Sequence, residues 1–213
     1  MSRELILNEI EKRKAVAVLA IKDLPTLTKV VDAILEGGIS VMEITLRVPN
    51  AIQLIADFSK QYSKDVVIGV GTVLNVADAE AAIKAGAKFV VSPVLKKEII
   101  DKAHEYDVPA MPGCFTPTEV LTAYEWGADV CKVFPADVLG MAFFKGILAP
   151  MPFLKVMPTG GVTLTNAGDW LKAGACAVGI GGALLDKAAI ETGNFAKLTE
   201  NAKMIMYSIN NVK

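Results

Sequence analysis

Apolar and polar positions along the chain repeat in a two-part rhythm. An amphipathic stretch with apolar residues three and four apart is followed by a short apolar run rich in β-branched residues. The first spacing belongs to a helix with one buried face, the second to a strand covered on both faces. Glycine punctuates four of the helix-to-strand passages: Gly37-Gly38 before 39–45, Gly86 before 88–92, Gly127 before 129–134 and Gly174 before 176–180. A left-handed residue closes a helix there before the chain turns into a strand. Four further strand-like runs fall at 15–20, 66–70, 108–111 and 154–158. Helical patterns occupy 24–36, 51–62, 76–85, 96–106, 117–126, 138–148, 164–173 and 195–209, and one more, 3–13, precedes the first strand. Eight strands alternating with eight helices predict a single (β/α)8 TIM barrel over 1–213 with an extra N-terminal helix. A doubly wound open sheet is the main competitor, but no Gly-x-Gly-x-x-Gly follows the first strand.

Composition narrows the possible functions. The chain has 213 residues, of which 53% are hydrophobic. Its mean hydropathy is +0.43, yet charges, Gly or Pro interrupt every apolar run before it reaches the length of a membrane span. Lys plus Arg number 22 and Asp plus Glu 23, a net charge of -1 that argues against nucleic acid or an anionic membrane as partner. Cys114, Cys131 and Cys176 are widely spaced, odd in number and in apolar surroundings, as buried thiols are in a reducing compartment. His104 is the one histidine, placed on the surface of a helix, so neither a serine–histidine triad nor a multi-histidine metal site is expected. The N-terminus is charged and amphipathic, without the apolar centre of a signal peptide, and the cytoplasm is the expected location.

Candidate chemistry lies at the C-terminal ends of the strands, where barrel active sites form. Lys132 stands inside the apolar run 129–134, on the same strand face as Val130 and Phe134. A lysine is rarely buried without a partner or a use, and burial disfavours the ammonium relative to the neutral amine, a nucleophile for carbonyl carbon. A lysine that snorkels to solvent at the strand end is the plainer alternative. Glu43 lies in an equally apolar run and shares a face with Val41 and Thr45. A carboxylate there needs a partner or a proton, and Lys132 across the barrel is the natural partner. An inert ion pair filling the barrel would have the same sequence. Arg47 offers a planar fork for a carboxylate or phosphate, although most loop arginines are solvated. Thr72 and Thr159 are placed either to donate hydroxyls to that anion or to cap the following helices. Gly160-Gly161 and Gly181-Gly182 end the last two strands, where backbone N–H groups of barrel enzymes commonly hold phosphate.

Several phrases in order, EITLR at 43–47, GVGTVLN at 69–75, VSP at 91–93, KVFPA at 132–136, PTGG at 158–161 and GIGGALL at 179–185, resemble the KDPG/KHG aldolase family. These are the class I, Schiff-base aldolases that act on 2-dehydro-3-deoxy-phosphogluconate and 4-hydroxy-2-oxoglutarate, and the resemblance spans nearly the whole chain. It implies Lys132 as the Schiff-base residue and Glu43 as general acid and base. Arg47 and Thr72 would bind the substrate carboxylate, Pro93 and Phe134 would shape the pocket, and Thr159, Gly160, Gly161, Gly181 and Gly182 would surround the distal phosphate or carboxylate. It also implies no metal or other cofactor, a homotrimer, and a small 2-keto acid as substrate. Ala183 departs from members that carry a serine hydroxyl there. A barrel phosphosugar isomerase or epimerase, or a non-catalytic barrel that binds phosphosugar acids, are the rival readings.

Overall fold

The computed structural model describes residues 1–22, 24–62 and 66–212. The elements follow in the order α1 (Arg3–Arg13), β1 (Ala15–Leu19), α2 (Leu24–Glu36), β2 (Val41–Thr45), α3 (Ala51–Gln61), β3 (Val67–Gly71) and α4 (Val76–Lys84). The middle of the chain continues with β4 (Val90–Val91), α5 (Lys97–Glu105), β5 (Ala110–Met111), β6 (Gly113–Cys114), α6 (Pro117–Glu125) and β7 (Cys131–Val133). It ends with α7 (Ala136–Leu148), β8 (Val156–Pro158), α8 (Ala167–Lys172), β9 (Val178–Ile180), α9 (Lys187–Glu191) and α10 (Phe195–Asn210).

Local chemistry explains the boundaries. Asn75 caps α4 by accepting from the Asp78 amide at 2.9 Å. Thr116 and Glu119 form a reciprocal capping box at the start of α6, with Pro117 in the first turn where it removes no needed N–H. Gly38, Gly86, Gly127 and Gly174 all have positive φ, as the turn from helix to strand requires. The strands are shorter than the apolar runs, and α9 follows β9 where no helix was expected.

All paired strands are parallel. They form a six-stranded sheet in the order β5-β4-β3-β2-β1-β9 and a three-stranded sheet in the order β6-β7-β8. An isolated bridge between Thr159 and Gly179 runs from the end of β8 to β9. The single eight-stranded sheet expected from the sequence is therefore divided into two curled sheets. The division falls at Pro112, which has no N–H for the ladder: Met111 before it pairs with β4, and Gly113 after it pairs with β7.

Two apolar layers sit on opposite faces of these strands. Met42, Ile44, Ile68, Val70, Cys131, Val133, Val156, Val178 and Ile180 belong to the layer between strands and helices. Val16, Val41, Val67, Phe89, Val91, Met111, Val130, Met157 and Ala177 form a separate inner cluster, to which both sheets contribute. Helix α1 closes the N-terminal end of that inner space with Ile6 and Ile10, both fully buried. Each such side chain withdrawn from water contributes about 1.5–3 kcal/mol. The extra N-terminal helix expected from the sequence is thus a plug beneath the inner cluster.

Candidate active site

The inner cluster fixes which way the site residues point. Val41 faces inward while Met42 and Ile44 face outward, so Glu43 and Thr45 follow Val41. Val130 faces inward while Cys131 and Val133 face outward, so Lys132 also points in. The same alternation directs Gly69 and Gly71 from β3, Thr159 beyond β8, and Gly179 and Gly181 in and after β9. Lys132 is 5% exposed and Glu43 1% exposed. The two buried charges therefore open from the apolar cluster toward the same C-terminal strand ends.

Burial pushes the Glu43 carboxyl above its ordinary range, and attraction to Lys132 and then Arg47 opposes that rise without cancelling it. Its Oε2 has no hydrogen-bond partner among the described residues. A carboxyl whose proton is held more tightly than usual is suited to both giving and taking one. The Lys132 Nζ lies 5.2 Å from the centre of the Phe134 ring, and Phe134 itself is exposed.

Two glycines make room for these groups. A Cβ on Gly71 would fall inside the Glu43 side chain, so only glycine lets the carboxylate lie across β3. A Cβ on Gly113 would collide with the Pro93 carbonyl group, and Gly113 is the register partner of Lys132. Pro93 is thereby held one strand from the lysine. Gly71 and Gly113 were not among the expected site residues, although glycine inside a strand marks a close approach.

Thr72, just past β3, has φ of +61°, a left-handed conformation that is strained for a β-branched residue. Helix α4 is capped by Asn75 and not by Thr72, and the Thr159 Oγ1 is buried without a hydrogen-bond partner among the described residues. Neither threonine caps the helix that follows it, since Asn75 precedes α4 and Asn166 precedes α8. Arg47 is exposed beyond β2, where its charge still reaches Glu43.

Thr159, Gly160, Gly161, Gly181 and Gly182 line one cavity of about 310 Å³, together with Val18, Val162, Gly179 and Ala183. No Lys or Arg side chain is in that lining. Cavities of about 580 Å³ against α10 and about 240 Å³ near Met1 lie apart from both buried charges. Among the described residues, no three His, Cys, Asp or Glu side chains gather as a metal-binding group. His104 packs half-buried on α5 with its Nε2 3.0 Å from Asp129 Oδ2, away from the strand ends that carry Lys132. Cys114 and Cys131 are buried and Cys176 partly so, all three as free thiols. No helix among the described residues is long and apolar enough to cross a membrane.

A buried amine and a buried carboxyl facing one space at the open ends of parallel strands are the equipment of a lyase of the aldolase class. Residues 6–201 match the family model of KDPG and KHG aldolase, and the chain belongs to that family. It is 38% identical to the 2-dehydro-3-deoxy-phosphogluconate aldolase of Pseudomonas aeruginosa, over 78% of this chain and 76% of that one. Identity to the KHG/KDPG aldolase of Escherichia coli K12 is 32%, covering 88% of each. Among solved structures, KDPG aldolase from Legionella pneumophila, with pyruvate captured as a covalent carbinolamine intermediate, superposes with a TM-score of 0.83. Its sequence identity is 29%, covering 90% of this chain and 93% of that one. The protein is a class I aldolase.

Proposed function

We propose that this aldolase cleaves 2-dehydro-3-deoxy-6-phosphogluconate to pyruvate and glyceraldehyde 3-phosphate, or 4-hydroxy-2-oxoglutarate to pyruvate and glyoxylate, through a Schiff base on Lys132. The observation that carries this reading is the burial of Lys132 and Glu43 on one inner face at the same strand ends. The unprotonated amine of Lys132 attacks the 2-keto carbon, and the resulting carbinolamine loses its hydroxyl as water when Glu43 supplies a proton. In the iminium ion the positive nitrogen accepts the electrons of the C3–C4 bond. That bond breaks as the C4 hydroxyl gives its proton to the Glu43 carboxylate, which leaves an enamine of pyruvate and a free aldehyde. Protonation at C3 and addition of water at C2 release pyruvate.

Arg47 and Thr72 hold the pyruvate carboxylate so that the scissile bond lies along the iminium π system. Pro93 and Phe134 form the apolar walls, and Thr159 with Gly160, Gly161, Gly181 and Gly182 receives the distal end of the substrate. The two curled sheets complete one (β/α)8 barrel through the Thr159–Gly179 bridge and the run of β5 into β6. The enzyme works as a homotrimer in the cytoplasm without a metal ion. An isomerase or epimerase would need no lysine nucleophile, and a non-catalytic binder would need neither buried charge.

Sodium borohydride added with pyruvate is expected to reduce one pyruvate onto the protein, mapped by peptide mass to Lys132, and Lys132→Met is expected to prevent it. Label on any other residue overturns the nucleophile assignment, and loss of turnover in EDTA overturns metal independence. Pyruvate release from each candidate substrate, coupled to lactate dehydrogenase, separates aldolase from isomerase and binder.

A further inference from the structure

Five buried side-chain atoms have no hydrogen-bond partner among the described residues: Glu43 Oε2, Thr45 Oγ1, Thr159 Oγ1, Trp170 Nε1 and Asn201 Oδ1. The last two lie in the outer helices α8 and α10. The first three are on the inner face beside Lys132. A buried hydroxyl left unpaired is destabilising, so native proteins rarely keep one without a use. Glu43 and Thr159 already have roles in the proposed reaction. Thr45 has none.

Thr45 is 1% exposed and lies two residues beyond Glu43 on the same strand face. Its register partner is Gly71, the residue over which the Glu43 carboxylate lies. Glu43 Oε2 and Thr45 Oγ1 thus stand two residues apart on one buried strand face, each without a hydrogen-bond partner among the described residues. Two acceptors with that placement are suited to a ligand that donates two hydrogen bonds from one oxygen.

We propose that Thr45 is a positioning residue for the water that leaves and re-enters at C2 of the Schiff base. This rests on the Lys132 reading above. On release, one proton of that water is hydrogen-bonded to Thr45 Oγ1 and the other to the Glu43 carboxylate. The oxygen lone pair is thereby aimed at the iminium carbon. The C–O bond forms, the C=N π pair moves to the Lys132 nitrogen, and Glu43 takes the water proton. Carbinolamine dehydration runs the same steps backward. A hydroxyl at position 45 acts on hydration and dehydration and leaves the carboxylate clamp untouched.

The partial reaction that isolates this step is exchange of the C2 oxygen of pyruvate with ¹⁸O-labelled water, followed by mass spectrometry after the uncatalysed rate is subtracted. Thr45→Val keeps the β-branched shape, and removing an unpaired hydroxyl is expected to hold or raise Tm. It is expected to slow exchange about tenfold, the scale of one hydrogen bond, with KM in the cleavage assay changed less than about twofold. Thr45→Ser restores the hydroxyl and is expected to recover most of the rate. Thr45→Ala serves as the second hydroxyl-free variant should the valine variant not fold. Exchange at the unaltered rate in the hydroxyl-free variant overturns the role of Thr45 and leaves the Schiff base standing. So does a serine variant as slow as the valine one. No catalysed exchange by the unaltered protein overturns both.

Discussion

The two ends of the inner space are built from the same strands and differ by a step of two residues. At the N-terminal end Val41, Val67, Val130, Met157 and Ala177 pack on one another and on Ile6 and Ile10 of α1. Two residues further along the same faces stand Glu43, Gly69, Lys132, Thr159 and Gly179. The lower end is filled with side chains and sealed by a helix. The upper end holds two buried charges, two unpaired hydroxyls and glycines that leave room. A dry, densely packed floor is what lets the upper end hold a carboxyl above its ordinary range, because nearby apolar atoms screen little. Stability and chemistry are thus separated along one axis, and substitutions at either end are expected to tell them apart.

Ile10→Ala removes a fully buried side chain from the floor. It is expected to lose about 2–5 kcal/mol of stability in denaturant unfolding, with kcat of the folded fraction unchanged. A parallel fall in kcat would show that the two ends are not separate.

Glu43→Gln is expected to act the other way. Cleavage should slow about a hundredfold or more, the usual scale of a general acid or base, while borohydride trapping of pyruvate persists. The raised carboxyl adds a pH signature. Below the unfolded value of 4.5 the carboxyl is protonated in both states and carries no penalty. As pH rises above 4.5 the unfolded chain ionises first, so the unaltered protein loses stability until its own carboxyl has titrated. Tm measured from pH 4 upward is therefore expected to diverge, with Glu43→Gln gaining on the unaltered protein. Parallel Tm curves would mean that Glu43 is not held against burial.

The finest test compares two glycines on one strand face. A Cβ on Gly69 meets the Phe89 ring, part of the floor, whereas a Cβ on Gly71 meets the Glu43 carboxylate. Gly69→Ala is expected to lower stability by roughly 1–3 kcal/mol through overpacking. Gly71→Ala is expected to lower kcat about tenfold by displacing the carboxylate, a shift of about 1.4 kcal/mol in the barrier. Equal effects of both variants on Tm and kcat would erase the boundary drawn between floor and site.

Much of this was readable before any coordinates. Helix α2 was expected at 24–36 and runs over Leu24–Glu36, since its apolar spacing and its glycine stop agree. Lys132 and Glu43 stood out because a charge inside an apolar run must be either a strand end or a site. Other features were less accessible. The strand run was expected to end at Met111, yet the chain pairs again beyond Pro112 as β6, because a missing N–H matters only once a partner strand is in place. Thr45 looked ordinary because threonine is common in strands, and an unpaired hydroxyl becomes visible only when every neighbour is known. The crowding at Gly71 and Gly113 comes from side chains and backbone of other strands.

By itself the sequence determined the alternation of helices with strands apart from α9 and the β5–β6 break, which residues of a strand share a face, and the resemblance to the family. Those properties depend on neighbours a few residues away, and side-chain alternation is set within a strand. Only the tertiary structure decided that Glu43 lies over Gly71, which strand faces turn inward, that the buried Thr45 hydroxyl finds no partner among the described residues, and that α1 seals the floor. Such facts depend on register between strands and on where the chain returns, and the free energy of a buried charge or hydroxyl is set by whatever that return brings beside it.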